Sequence, residues 1–191
     1  MTTGKTAVVI GAAAIVIIRG IYQYGRPRPA VEERRAGALD TIALGAVATG
    51  FVIPIVWAVT GWLAFADTVH MPVSLVAGSA VMAGALWLFY RAHHDLGRNW
   101  SPTLQIVESQ LLVTTGVYRL VRHPMYLALI LYGLGQGLAL SNWLAAPACL
   151  IGAATLFALR LRAEEHMMRD RFGAAYVRYA SRTARLIPGL W

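Results

Sequence analysis

Lysine is almost missing from this chain of 191 residues: Lys5 stands alone, so the net charge of +8 rests on arginine. Cysteine is equally scarce. Cys149 has no second cysteine to pair with, which excludes an intrachain disulfide and a cysteine metal cluster and leaves a packing role in its apolar run. Charge of either sign is thin, at 14% of residues against 58% hydrophobic, with a mean hydropathy of +0.56. So little charge excludes an ordinary soluble domain and points to a polytopic membrane protein. Internal repeats and low-complexity segments are absent too. The arginines sit in short segments beside apolar runs, where the positive-inside rule and anionic headgroups account for them without nucleic acid.

What is present is a series of apolar runs. Spans are predicted at 6–24, 39–66, 72–90, 124–140 and 143–159, the last two joined at Ser141-Asn142 as a helical hairpin. The first run follows a single lysine and ends in Arg-Gly-Ile-Tyr-Gln-Tyr rather than a small-residue cleavage site, so it reads as a retained helix. The second exceeds what a bilayer needs, and Pro54 and Gly61 suggest a kink or tilt. Beyond 160, Met168, Phe172, Tyr176 and Tyr179 recur at helical spacing opposite Arg169, Asp170 and Arg178, as in an amphipathic helix.

Arginines crowd the first loop (Arg26, Arg28, Arg34 and Arg35), the region 91–122 and the tail; the loops at 67–70 and 141–142 have none. Five spans with the N-terminus outside and the C-terminus cytoplasmic, in the inner membrane, satisfy every loop. The expected fold is an all-α polytopic membrane protein of about five transmembrane helices plus a C-terminal amphipathic helix. Residues 1–95 form the N-terminal spans and 96–191 a catalytic region.

Polar groups that could do chemistry collect on the cytoplasmic side. Residues 116–126, Gly-Val-Tyr-Arg-Leu-Val-Arg-His-Pro-Met-Tyr, lie between apolar segments. Proline disfavours helix at the residue before it and suits the first helical position, so His123-Pro124 marks a helix start with Arg122 and His123 at an end suited to an anion. Arg160 and Glu164 share a helical face four residues apart, and the hairpin returns them to the level of His123. Blander readings exist for each. Arg160–Glu164 can be a boundary ion pair, Arg119 and Arg122 headgroup anchors, and Tyr118 and Tyr126 belt residues. His93-His94 point about 100° apart on a helix and lack further ligands at zinc-like spacing, so they read as a solvated or headgroup-facing pair and no metal is expected. His166 reads as a surface residue.

The ordered combination is more specific. Leu-Val-x-x-Gly-Val-Tyr at 112–118, Arg-His-Pro-Met-Tyr at 122–126, the hairpin, Arg160 with Glu164-Glu165, Phe172-Gly173-x-x-Tyr176-x-x-Tyr179 and Leu186-Ile187-Pro188-Gly189 together resemble the isoprenylcysteine carboxyl methyltransferase family and its phospholipid-methylating relatives. The resemblance covers about half the chain, from Leu96 onward. It implies S-adenosylmethionine as cofactor, surrounded by Gln110, Leu111, Leu112, Val113, Tyr118, Arg122, His123, Pro124, Met125 and Tyr126, with Glu164 and Glu165 for its ammonium or ribose. It implies Arg160 facing a lipophilic methyl acceptor, with Arg160, Glu164 and His123 as the catalytic set. Eukaryotic members have a histidine where Gln110 stands and an aromatic-rich run where this chain has Leu127-Ala-Leu-Ile-Leu. The implied reaction is carboxyl O-methylation of an isoprenylcysteine-like acceptor. Phospholipid N-methylation and a non-catalytic lipid-binding role are the alternatives; a transporter is disfavoured because the charges gather at one surface and not at mid-bilayer.

Overall fold

Six helices and one short ribbon make up the fold, in a computed structural model that describes residues 3–25, 31–34, 37–69, 71–101, 103–107 and 110–189. Arg26, Arg28 and Arg35 of the first loop, and His70, lie outside these residues, as do the side chains of Arg34 and Arg98. Helix α1 spans Thr3–Tyr24, α2 Ala38–Thr60, α3 Pro72–Leu96, α4 Pro124–Ala139, α5 Ala148–Phe172 and α6 Ala174–Ala180. Helices α1, α2 and α3 are each long and apolar enough to cross a membrane. Helix α4, apolar but 16 residues long, extends about 24 Å.

Glycine decides how closely the helices pair. A Cβ added at Gly78 of α3 would run into the Gly135 carbonyl of α4, and one at Gly135 into that of Gly78. Gly50 of α2 meets the Ala148 carbonyl of α5 in the same way, and Gly152 of α5 meets that of Ala46. Small residues at such crossings let backbones approach, which is how helices associate where lipid removes the hydrophobic drive. Trp57, Tyr132 and Met82 fill the space between. The outward side chains are apolar as well: Ile10, Val16 and Ile21 on α1, Ile42 and Val59 on α2, Val73 and Trp87 on α3 are exposed, as a lipid-facing surface requires.

Four differences from the predicted layout have local causes. Helix α2 stops at Thr60 because Gly61 takes a left-handed conformation (φ 73°) and closes the helix end on the Trp57 carbonyl. Helix α5 begins at Ala148, since Asn142 Oδ1 accepts from the N–H groups of Leu144 and Ala145 and holds 143–147 as a turn. It then runs unbroken through the predicted boundary at 159 to Phe172, where Gly173 (φ 50°) separates it from the short α6; the amphipathic tail is thus two helical pieces. The helical layout stands, and an antiparallel ribbon of β1 (Val31–Arg34) and β2 (Gln105–Val107) is added to it, pairing Val31 with Val107 and Arg34 with Gln105. Strands of four and three residues are too short to show alternation in sequence.

Candidate active site

One cavity of about 890 Å³ lies at the end of the bundle where α4 begins. Its polar end is built on the 116–126 stretch. Gly116, at φ 61°, opens a tight 3-10 turn through Arg119. Asp95 of α3 accepts the Val117 N–H at 2.9 Å, and Arg91 steadies it at 3.2 Å. Tyr118 is buried and donates to the Ala92 carbonyl, so it is not a belt residue. The chain then reaches α4 as expected, with His123 as the N-cap and Pro124 as the first helical residue.

The tail braces this segment. The Arg122 N–H donates to the Ala184 carbonyl at 2.8 Å and the His123 N–H to that of Arg185 at 3.1 Å. Tyr179 of α6 donates its hydroxyl to the Tyr118 carbonyl at 2.6 Å. These are main-chain anchors, so they orient Arg122 and His123 through their backbone.

Helix α5 brings the carboxylates. Glu164 accepts the Tyr126 hydroxyl at 2.5 Å, lies 3.6 Å from His123 Nδ1 and 3.5 Å from Arg160 Nη2. Arg160 Nε also lies 2.9 Å from Asp40 of α2, a buried carboxylate. Glu165 faces the other way. It takes Arg122 Nη1 at 2.7 Å and both Nε and Nη2 of Arg185, at 3.2 and 3.3 Å, with His123 Nε2 at 3.6 Å. Burial works against the charged form of His123, yet the flanking Glu164 and Glu165 outweigh it and hold the imidazole above its ordinary range. Burial likewise opposes the Glu165 carboxylate, but His123, Arg185 and Arg122 pull it down to about 2. The site therefore holds the His123 ring between two carboxylates, which favour its protonated form.

Of the site residues predicted from sequence, Gln110, Leu111, Leu112, Val113, Tyr118, Arg122, His123, Pro124, Met125, Tyr126, Arg160 and Glu164 all line the cavity. Glu165 stands behind the wall, clamping Arg122 and Arg185. The headgroup-anchor reading of Arg122 gives way to this buried pair. His93 differs as well: it is buried and lines the cavity, while only its neighbour His94 is exposed, beside Asp95. His166 is on the surface as expected. Sequence reasoning passed over Asp40, and placed Asn99 in a polar stretch on the cytoplasmic side without giving it a role. A carboxylate within an apolar span is a functional signal on its own and marked Asp40. Asn99 had no such mark; its Oδ1 accepts the Leu111 N–H at 2.7 Å while its amide donates to the Leu96 carbonyl, pinning the extended 110–113 segment along the cavity.

Arg122 Nε and His123 Nε2 are among the buried polar atoms here that make no hydrogen bond. Both belong to cationic groups, so a ligand carboxylate suits them. Tyr118 and Tyr126 supply aromatic walls for a cationic ligand centre. Away from this end the cavity becomes apolar, running between α1 and α2 past Val9, Val16, Val47, Phe51 and Val52. Val16 and Val52 are also exposed on the outer surface, so the groove opens sideways toward lipid.

A family model for the isoprenylcysteine carboxyl methyltransferase (ICMT) family matches residues 76–170. Protein-S-isoprenylcysteine O-methyltransferase B of Arabidopsis thaliana is 35% identical over 94 residues, covering 48% of this chain and 48% of the relative. The Saccharomyces cerevisiae protein-S-isoprenylcysteine O-methyltransferase is 31% identical over 99 residues, 51% of this chain and 41% of the relative. Among solved structures, the eukaryotic intramembrane Ras methyltransferase ICMT is similar with a TM-score of 0.55 and 28% identity, covering 78% of this chain and 52% of that one. This chain spans about half the length of the curated relatives it matches.

Proposed function

We propose that this chain, whose residues 76–170 match the isoprenylcysteine carboxyl methyltransferase family model, is a member of that family: an S-adenosylmethionine-dependent membrane methyltransferase that esterifies the carboxylate of an isoprenylcysteine-like lipid. The carrying observation is that one cavity joins a charged, tyrosine-walled end to an apolar groove open to lipid. A small polar methyl donor and a lipophilic acceptor can meet there without either leaving its own phase. In this reading α4 and α5 cross the inner membrane as a hairpin, giving five spans with the cavity's polar end and the C-terminus cytoplasmic.

The residues present fit the cofactor. Its carboxylate matches the unbonded Arg122 Nε and His123 Nε2, its sulfonium the faces of Tyr118 and Tyr126, and its ammonium or ribose Glu164, with the 110–113 segment alongside. When bound, S-adenosylmethionine supplies a methyl group made electrophilic by the sulfonium. The chain's own contribution is position and electrostatics. Arg160, fixed by Asp40 and Glu164, stands beside the acceptor and keeps its orientation. Beside Arg160, the two described groups that could take a proton, His123 and Glu164, are both engaged. Glu164 and Glu165 favour the protonated form of His123, and Glu164 is itself occupied by Tyr126, His123 and Arg160. Such a site suits an acceptor that arrives deprotonated, as a carboxylate does, better than an amine headgroup.

The test is incubation of purified protein in nanodiscs with methyl-labelled S-adenosylmethionine and an S-prenylcysteine, followed by alkali. Label released as methanol marks a carboxyl ester and is the expected result. Label retained on phosphatidylethanolamine, or no label on either, overturns the reading.

A further inference from the structure

The polar end of the cavity is closed by a seam between two parts of the chain remote in sequence. Val121 bridges Ala184, the Arg122 N–H donates to the Ala184 carbonyl at 2.8 Å, and the His123 N–H donates to that of Arg185 at 3.1 Å. Tyr179 of α6 ties the same two parts through the Tyr118 carbonyl. A seam of so few main-chain bonds opens more readily than a helix or a sheet does.

The residues beside the seam face outward on both of its partners. Arg119 and Leu120 precede it on one; Val177, Arg178 and Arg182 precede it on the other, and Ile187 follows. All are exposed, while Tyr176, on the inner face of α6, is buried. Charge here has one sign. The sequence holds no aspartate or glutamate between 109 and 163 or between 171 and 191. Arg169 and Arg185 meet Glu165, and Arg171 meets Glu32. Among the described residues no carboxylate pairs with Arg119, Arg178 or Arg182.

Arginines interleaved with leucine, valine and isoleucine match an anionic membrane surface, where phosphates lie over the first methylenes of the acyl chains. A free anion would meet the arginines and leave Leu120, Val177 and Ile187 in water. A leaflet is also at hand, since α1, α2 and α3 are each long and apolar enough to cross a membrane.

We propose that this face docks on anionic phospholipid headgroups of the leaflet at the cavity's polar end, and that docking tightens methyl-donor binding by clamping the seam. Headgroups that engage both partners of the seam favour its closed form, and the closed form is the one that carries Arg122 and His123. Linkage then makes anionic lipid and methyl donor raise each other's affinity. The coupling rests on the reading of this end as the S-adenosylmethionine site; the docking does not.

Hydrogen exchange reads the docking and calorimetry the coupling. The purified protein is compared in nanodiscs of phosphatidylcholine and in nanodiscs of equal parts phosphatidylcholine and phosphatidylglycerol. Without methyl donor, the Arg122 and His123 amides should exchange about fivefold more slowly in the anionic discs, the effect of roughly one arginine at such a surface. S-adenosylmethionine should bind more tightly there by a similar factor. The triple variant Arg119→Gln, Arg178→Gln, Arg182→Gln should match wild type in neutral discs and lose both gains in anionic ones, which separates docking from mere accumulation of a cationic donor at a charged surface. The corresponding triple lysine variant should keep both, and added salt should shrink them. Equal exchange in the two lipids, undiminished protection in the triple glutamine variant, or the same protection from inorganic phosphate in neutral discs would overturn the docking. Equal donor affinity in the two discs would overturn the coupling. Lipid-dependent protection with no donor binding in either disc would sink the proposed cofactor and leave the docking standing.

Discussion

Gly116 is the residue on which the polar end of the cavity turns. It holds φ 61°, and a Cβ placed there would overlap the Asp95 carboxylate that anchors the Val117 N–H. Gly189 has a similar φ of 77° with open space around it. The pair separates backbone strain from collision. Gly189→Ala should cost about 1–2 kcal/mol from the left-handed conformation alone, while Gly116→Ala should cost more and also weaken S-adenosylmethionine binding. Thermal unfolding in detergent with calorimetry of the cofactor distinguishes the two. At this scale the sequence was informative where a residue is odd in its setting. His123-Pro124 announced a helix start, and the spacing of Arg160 and Glu164 announced a shared face. Asp40 was equally odd, a carboxylate within an apolar run, but its partner Arg160 is remote in sequence and only the fold joins them. His93 could not be told from His94 by spacing: the side that is buried depends on where Tyr22 and Trp100 pack.

Among the elements, the extended 110–113 segment has the least support of its own. It belongs to no helix or strand, and Asn99 supplies its side-chain anchor through the Leu111 N–H. Asn99→Ala should lower cofactor affinity about tenfold, the usual worth of a lost structural hydrogen bond, with little change in thermal stability. Unchanged affinity by calorimetry would show that the segment is held by its apolar contacts instead. Helices were readable because long apolar runs bounded by Pro72, Pro124 and glycine leave few choices. The β1–β2 ribbon was not, because three or four residues carry no period. Nor was the continuity of α5, since the change from apolar to charged at Arg160 looks like a chain break in sequence and is only a change of surroundings for one helix.

For the molecule as a whole, the ring of charge around His123 sets a pH window. Glu165 is held at about 2, against an ordinary 4.5, so its contribution is complete above 4.5 and fades as pH falls toward 2. His123 is held above its ordinary 6.5, so its contribution is complete below 6.5 and fades as pH rises through the higher folded value. Thermal stability in detergent should therefore be greatest between 4.5 and 6.5. Glu165→Gln should flatten the acid limb, and His123→Gln the alkaline one. A melting temperature that keeps rising above pH 8 would contradict the charge assignment of His123.

The strap at 184–185 has a bearing on how the protein is made. Arg122 and His123 reach the ribosome exit well before Ala184 and Arg185, whose carbonyls hold their backbone. Until α4, α5 and α6 have been synthesised, both residues lack these partners, and Glu165 lacks Arg185. The pocket thus closes late in biogenesis. A nascent chain has its apolar groove between α1 and α2 before the charged end of the cavity is complete.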